Sequence, residues 1–245
     1  MNKIWIIARK DIREAFRSRS TYVFIVVMMI VSLNYAQAYS SAVDTLSSQQ
    51  AIEDFSRKFI SGLAYILPMM YSIFVCSIFA TYSVVVDKAK RNIESLMATP
   101  ISITQLWMGK SLAVTLPSVG VGIAVAVLAY VALNLGFVMP QTHTFIFPSI
   151  LAILSAIIIV PMLIFAIVSI VIFIQLVIAN PRIANLIFTG IFILLIVGVQ
   201  TIGGLGVSFS LFPLVYLGII AVCALIDFVL SRSLTKERVL LSSKM

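Results

Sequence analysis

The sequence predicts an all-α integral membrane protein, and three observations carry that prediction. Of 245 residues, 61% are hydrophobic and only 11% charged, against roughly 25% charged in soluble domains. Mean hydropathy is +1.13. The apolar residues gather into six stretches, at about 21–42, 60–86, 111–138, 148–179, 185–202 and 211–230, and about 20 apolar residues suffice for a helix to cross a bilayer. Seventeen basic and nine acidic side chains cannot cover a water-soluble core of this size. A soluble enzyme, a nucleic-acid-binding domain and a disordered chain are excluded. The net charge of +8 then reads as loops obeying the positive-inside bias.

Residues 3–19 are too polar to span. On a helical wheel Ile4, Trp5, Ala8, Ile12, Ala15 and Phe16 share about a third of the circumference, with Arg9, Arg13, Arg17, Lys10, Lys3 and Glu14 filling most of the rest. Ile6 and Ile7 fall outside the apolar sector. Such a helix lies in the interface plane, its apolar face toward acyl chains and its basic face toward anionic headgroups or a partner.

The first span carries Asn34, Gln37 and Ser40 at three-residue intervals, beside Tyr35 and Tyr39. With Gln200 near the end of the fifth span, Asn34, Tyr35 and Gln37 are candidates for an uncharged pathway lining; interhelical hydrogen bonding is the competing role for such groups. Pro68, Pro117 and Pro161 fall inside spans and predict kinks that neighbouring helices satisfy. Gly120, Gly122 and Gly198 predict close helix contacts. Gly203, Gly204 and Gly206, followed by Phe209, Phe212 and Pro213, predict a bent segment over 203–213 dipping into the far interface.

Between spans two and three, Ile93, Leu96 and Met97 form a short apolar stripe beside Glu94. Pro100 stops that helix, since the residue before a proline is pushed out of the α region. Ser102 and Gln105 then have the spacing of a capping box that opens the next helix. A short capped helix held at the membrane surface by two long ones suits a groove on a partner.

The chemistry-bearing residues are few. Gly109-Lys110-Ser111 resembles the end of a phosphate-binding loop, but position 104 is Thr rather than Gly and no strand precedes it. Lys110 instead reads as a lysine snorkelling to headgroups. Asp227 is the one ionisable residue within a span, five residues before Arg232 and read as solvent-reachable or paired with it. His143 sits in an outer loop near Pro140, and Cys76 and Cys223 read as buried apolar residues rather than a disulfide or metal pair. No catalytic and no metal-ligating set is expected.

The run Asn92-Ile93-Glu94-Ser95-Leu96-Met97-Ala98-Thr99-Pro100-Ile101-Ser102, followed by Gly109-Lys110, resembles the permease subunits of type-2 ABC exporters, sodium-efflux and multidrug-type members included. Asn92 stands where that family usually has Thr, and Arg91 where it has Gly. The short outer loops differ from sodium-efflux members with a large external domain. The resemblance implies a coupling helix over 92–99 within a cytoplasmic segment 87–105. Ile93, Glu94, Leu96, Met97, Thr99 and Pro100 would contact a separate ATPase subunit. It also implies an interface helix over 1–20 beside the same partner, with Trp5, Arg9, Arg13, Phe16 and Arg17 as its marked residues. ATP and Mg2+ would bind the ATPase and no cofactor this chain.

All Lys and Arg except Arg57 and Lys58 fall on one side of the predicted spans, so both termini are expected in the cytoplasm. The chain is expected to be one permease domain over 1–245, multi-pass in a prokaryotic plasma membrane. It would form the path of an ATP-driven exporter with a second permease copy or a homologous permease and two ATPase subunits. An uncharged, aromatic-rich path favours an amphipathic or hydrophobic cargo (lipid, drug, peptide or glycolipid) over an ion. A non-transporting scaffold and an ion-coupled carrier are the alternatives; the scarcity of intramembrane charge and the absence of an internal repeat count against the carrier.

Overall fold

The computed structural model describes residues 3–17, 19–80, 83, 84, 87–89, 101–178, 190, 193 and 209–233. Helix α1 covers Lys3–Arg17, α2 Arg19–Val43, α3 Gln49–Ala80 and the single turn α4 Asp87–Ala89. Helix α5 runs Ile103–Thr142, α6 Ile150–Val177 and α7 Phe212–Ser233. Among the described residues there is no strand, and five helices are long and apolar enough to cross a membrane. The predicted fifth span, 185–202, lies almost wholly outside the described residues.

Helix α3 begins eleven or so residues before the hydropathy boundary at 60. Residues 49–59, expected as part of an outer loop, are helical. Their polar side chains Glu53, Asp54, Arg57 and Lys58 hide the pattern from a hydropathy window. Ile52, Phe55, Phe59 and Ile60 nevertheless recur at helical spacing and pack on Tyr39 and Val43, where the Tyr39 hydroxyl meets Ser56 Oγ at 2.7 Å.

Helix α5 starts as its sequence predicts. Ser102 Oγ accepts from the Gln105 amide at 3.2 Å, and Gln105 Oε1 accepts from the Ser102 amide at 3.1 Å, completing the capping box. Pro68 and Pro117 sit within continuous helix. Two other prolines follow π-helical turns: Asn134–Val138 precedes Pro140, and Ser155–Ile159 precedes Pro161. Each turn ends in an i→i−5 bond, Met139 to Asn134 and Val160 to Ser155. The wider turn relieves the clash of a proline ring with the carbonyl four residues back.

Helices α3 and α5 form the central pair, α6 packs across both, and α7 leans on α6. Gly122 lets α3 and α5 meet backbone to backbone: a Cβ there would stand 2.5 Å from the Ser72 amide nitrogen. Gly120, two residues away, faces open space. The main core joins Phe79, Trp107, Leu163, Ile172 and Tyr216. A second cluster gathers Met28, Leu67, Tyr71, Val125 and Leu133, seating α2 on the central pair.

At the end of the bundle remote from α1, His143 takes a left-handed conformation (φ 54°) and closes α5. The chain then folds back, Ile146 N donating to Asn134 Oδ1 at 3.1 Å and Tyr130 donating to the Ile146 carbonyl. Of the predicted bent segment 203–213, residues 203–208 lie outside the described residues. Phe209–Leu211 forms a 3-10 turn, the Phe209 ring lies against Gly62, and Phe212 is buried beside Tyr65 and Tyr216.

Candidate functional site

The segment around Ile93, Glu94, Leu96, Met97, Thr99 and Pro100 lies outside the described residues, but Asp87 and Lys110 on either side of it are described. Asp87 stands shortly before it and Lys110 lies two turns into α5 after it. Lys110 does not snorkel to headgroups. It is 0% exposed and donates to Asp87 Oδ2 at 2.7 Å and to Asp11 Oδ2 at 3.0 Å. Its third donor goes to the Ser83 carbonyl, and Ser83 Oγ donates to Asp11 Oδ2 at 2.8 Å. All three donors of the ammonium are thus used. Snorkelling fails because the end of α5 that would have reached water is roofed by α1 and by the chain leaving α3.

Local sequence explains the arrangement. Asp11 falls three, four and seven residues after Ala8, Ile7 and Ile4, so all four share one face of α1, which turns inward onto α5. The approach is close because Gly109 has no side chain: a Cβ there would stand 3.2 Å from both the Ile4 carbonyl oxygen and Ile7 Cβ. The Gly109-Lys110 pair therefore has a physical account, with the glycine admitting α1 and the lysine gripping it. Sequence reasoning passed over Asp11; the available signal was an acid on the apolar face of an otherwise basic helix.

Lys88, beside Asp87, turns the other way. Its ammonium donates to the carbonyls of Leu176 at 3.0 Å and Ile178 at 2.9 Å, capping the end of α6. Burial lowers its pKa from the usual lysine range to about 8. Trp107 adds a second tie to α6, Nε1 donating to the Ser169 carbonyl at 2.8 Å, with its ring edge-on to Phe173.

The marked residues of α1 divide by sector. Arg9, Arg13 and Arg17 are exposed together with Lys10. Trp5 and Phe16, 48% and 37% exposed, lie on the flank between the basic sector and the buried face, with Phe16 touching Phe79 at 5.6 Å between ring centroids. The predicted apolar sector is thereby split: Ile4 and Ala8, joined by Ile7, pack on protein, while Trp5 faces outward and Phe16 is shared between Phe79 and the surface. Ile7, which the wheel set apart, is 6% exposed.

The pathway candidates also separate. Tyr35 points into the bundle, its hydroxyl 3.4 Å from Met70 Sδ. Asn34 and Gln37 lie with Ser41 on the opposite, exposed face of α2. Gln200 is outside the described residues. Arg232 lies over the Phe228 ring at 4.4 Å rather than on Asp227, whose Oδ1 is buried without a hydrogen-bond partner among the described residues. Between α3, α5 and α6 a cavity of about 370 Å³ has a wholly apolar lining that includes Leu67, Pro68, Ala126, Tyr130, Phe147 and Ala156.

A desolvated ammonium with all three donors spent on two carboxylates and a carbonyl has the capacity to hold α1, α4 and α5 together. Comparison with known proteins supplies the context for that capacity. A sequence model described as ABC-2 family transporter protein matches residues 5–223. No curated protein matches the chain. The match runs from α1 into α7 and includes the charge cluster, so the chain belongs to the ABC-2 family of transporter proteins and is a membrane-spanning permease subunit of an ABC transporter.

Proposed function

We propose that this permease is one domain that forms the translocation path of an ATP-driven exporter. It would work as a dimer, each copy docking a separate ATPase subunit through residues 92–99. In this reading Glu94 is the acidic contact, Leu96 and Met97 with Ile93 the apolar ones, and Thr99 and Pro100 end the docking helix. ATP and Mg2+ bind the ATPase, both termini of this chain face the cytoplasm, and the membrane is a prokaryotic plasma membrane. The basic sector of α1, Arg9, Arg13 and Arg17, lies at the same surface.

The observation that carries the proposal is the bracket around residues 90–100. Both of its arms are anchored in one buried ion cluster, so a push on the segment is delivered to the span bundle rather than absorbed in slack chain. Two further features support finer points. The exposed polar stripe of Asn34, Gln37 and Ser41 on α2 suits a second permease copy across a shared path. The wholly apolar cavity between α3, α5 and α6 suits an amphipathic or hydrophobic cargo better than an ion, which would want carboxylates or carbonyl cages.

The test is co-purification of the tagged chain with ATPase subunits of the same cell, comparing wild type with Glu94→Arg and Leu96→Asp. Loss of a stable pair in both variants, with the permease still folded, is the expected result. Pairing indifferent to both changes would overturn the docking assignment, and absence of any ATPase partner would favour a membrane scaffold.

A further inference from the structure

The two-residue step Asp87-Lys88 touches more of the bundle than its length suggests. Asp87 reaches α5 through Lys110, and the same ammonium holds Asp11 of α1 and the carbonyl of Ser83 beyond α3. Lys88 reaches α6 through the Leu176 and Ile178 carbonyls. Three helices and the backbone at Ser83 therefore converge on the stretch that leads directly into residues 90–100. The contacts are charged and buried: Asp11, Asp87 and Lys110 are 7%, 3% and 0% exposed. Apolar side chains can slide past one another with little penalty, whereas parting any member of this set leaves an unpaired buried charge. The cluster consequently fixes register.

We infer that Asp11, Asp87, Lys88 and Lys110 form a rigid joint that makes α1, α4, α5 and the end of α6 move as one body when the 90–100 segment is displaced. They are positioning residues for the coupling step and touch neither nucleotide nor cargo. The inference rests on the reading that residues 92–99 dock an ATPase. It differs from simple anchoring in one respect: an anchor needs only stability, while a joint needs these particular ties. Replacing a whole buried ion cluster by apolar side chains of similar size commonly preserves or raises stability, so the two roles can be separated experimentally.

The experiment uses the permease–ATPase complex in a Cys76→Ala, Cys223→Ala background. Spin labels are placed in pairs at Arg13 and Val177, inside the joint, and at Leu33 and Val177, across it. Distances are measured with and without a non-hydrolysable ATP analogue. In the otherwise native complex the Leu33–Val177 distance changes with nucleotide and the Arg13–Val177 distance does not. The triple variant Asp11→Leu, Asp87→Leu, Lys110→Met keeps its melting temperature and its ATPase, but its Arg13–Val177 distance becomes nucleotide-dependent or broad, and the Leu33–Val177 change is lost. The single change Asp11→Asn weakens the joint in the same direction and serves if the triple variant fails to fold. A triple variant that pairs with the ATPase and moves like the native chain would overturn the joint while leaving the docking reading intact. Failure of the native chain to bind an ATPase would overturn both.

Discussion

Gly120 and Gly122 look alike in the sequence, two small residues in one span, yet the structure assigns them opposite consequences. A Cβ on Gly122 would stand 2.3 Å from Ser72 Oγ, 2.5 Å from Ser72 N and 2.6 Å from Ser72 Cα. Two of these atoms are backbone, so relief requires α3 and α5 to separate rather than a rotamer to turn. Overpacking of this kind costs about 1–3 kcal/mol, and here the upper end applies because the central helix pair must open. Alanine returns about 1 kcal/mol of helix propensity relative to glycine, leaving Gly122→Ala destabilised by about 2 kcal/mol. At about 2–4 °C per kcal/mol for a chain of this size, that lowers the melting temperature by about 4–8 °C. Gly120→Ala meets nothing within 4 Å and keeps the propensity gain, so its melting temperature stays level or rises slightly. The assay is thermal unfolding in detergent followed by a thiol-reactive fluorophore in a Cys223→Ala background. Cys76, 3% exposed in the core, then reports unfolding alone. Coincident melting of the two alanine variants would refute the backbone contact between α3 and α5.

Other consequences follow from individual contacts. Lys110→Met leaves Asp11 and Asp87 buried without their cation and should cost about 3–5 kcal/mol, read as lost expression or a much lower melting temperature; the apolar triple variant should recover it. Trp107→Phe removes the donor to the Ser169 carbonyl and should cost about 1–3 kcal/mol in the same thermal assay. Ser102→Ala removes the cap of α5 and should cost about 0.5–2 kcal/mol, with Ser102→Asp close to native. Lys88 holds its proton less tightly in the folded bundle, near pH 8 against 10.5 in the unfolded chain. The unfolded chain therefore binds more protons between those values, and stability rises with pH across that window. Melting temperatures at pH 8 and pH 10 should show a gain that Lys88→Met lacks.

Much of this architecture is legible in the chain without coordinates, because membrane spans are dictated by composition. A backbone in hydrocarbon must satisfy its own hydrogen bonds, so a long apolar run is a helix almost regardless of its neighbours. The capping box at Ser102 and Gln105 was equally legible, since both bonds join residues three apart in sequence. The run around Glu94 and the Gly109-Lys110 pair carried the family. The helical extension at 49–59 escaped notice for the complementary reason: beyond the bilayer, hydropathy no longer reports helicity, and only the i, i+3, i+4 pattern of Ile52, Phe55, Ser56, Phe59 and Ile60 remained as a signal.

What the sequence by itself determined is the class, five of the spans, the amphipathic first helix and the family, all of them properties of local pattern and composition. The tertiary structure alone decided which side of each helix meets protein. It turned Tyr35 inward and Asn34 and Gln37 outward, separated Gly122 from Gly120, and divided the apolar sector of α1 between α5 and the exposed surface. Above all it converted Lys110 from an apparent headgroup anchor into the centre of a buried cluster with Asp11, 99 residues away in sequence, and Asp87, 23 residues away. The physical reason is that a charge is stable wherever it finds either water or a partner, and local sequence does not say which. That choice depends on whether another segment covers the water-facing end of the helix, and here α1 does.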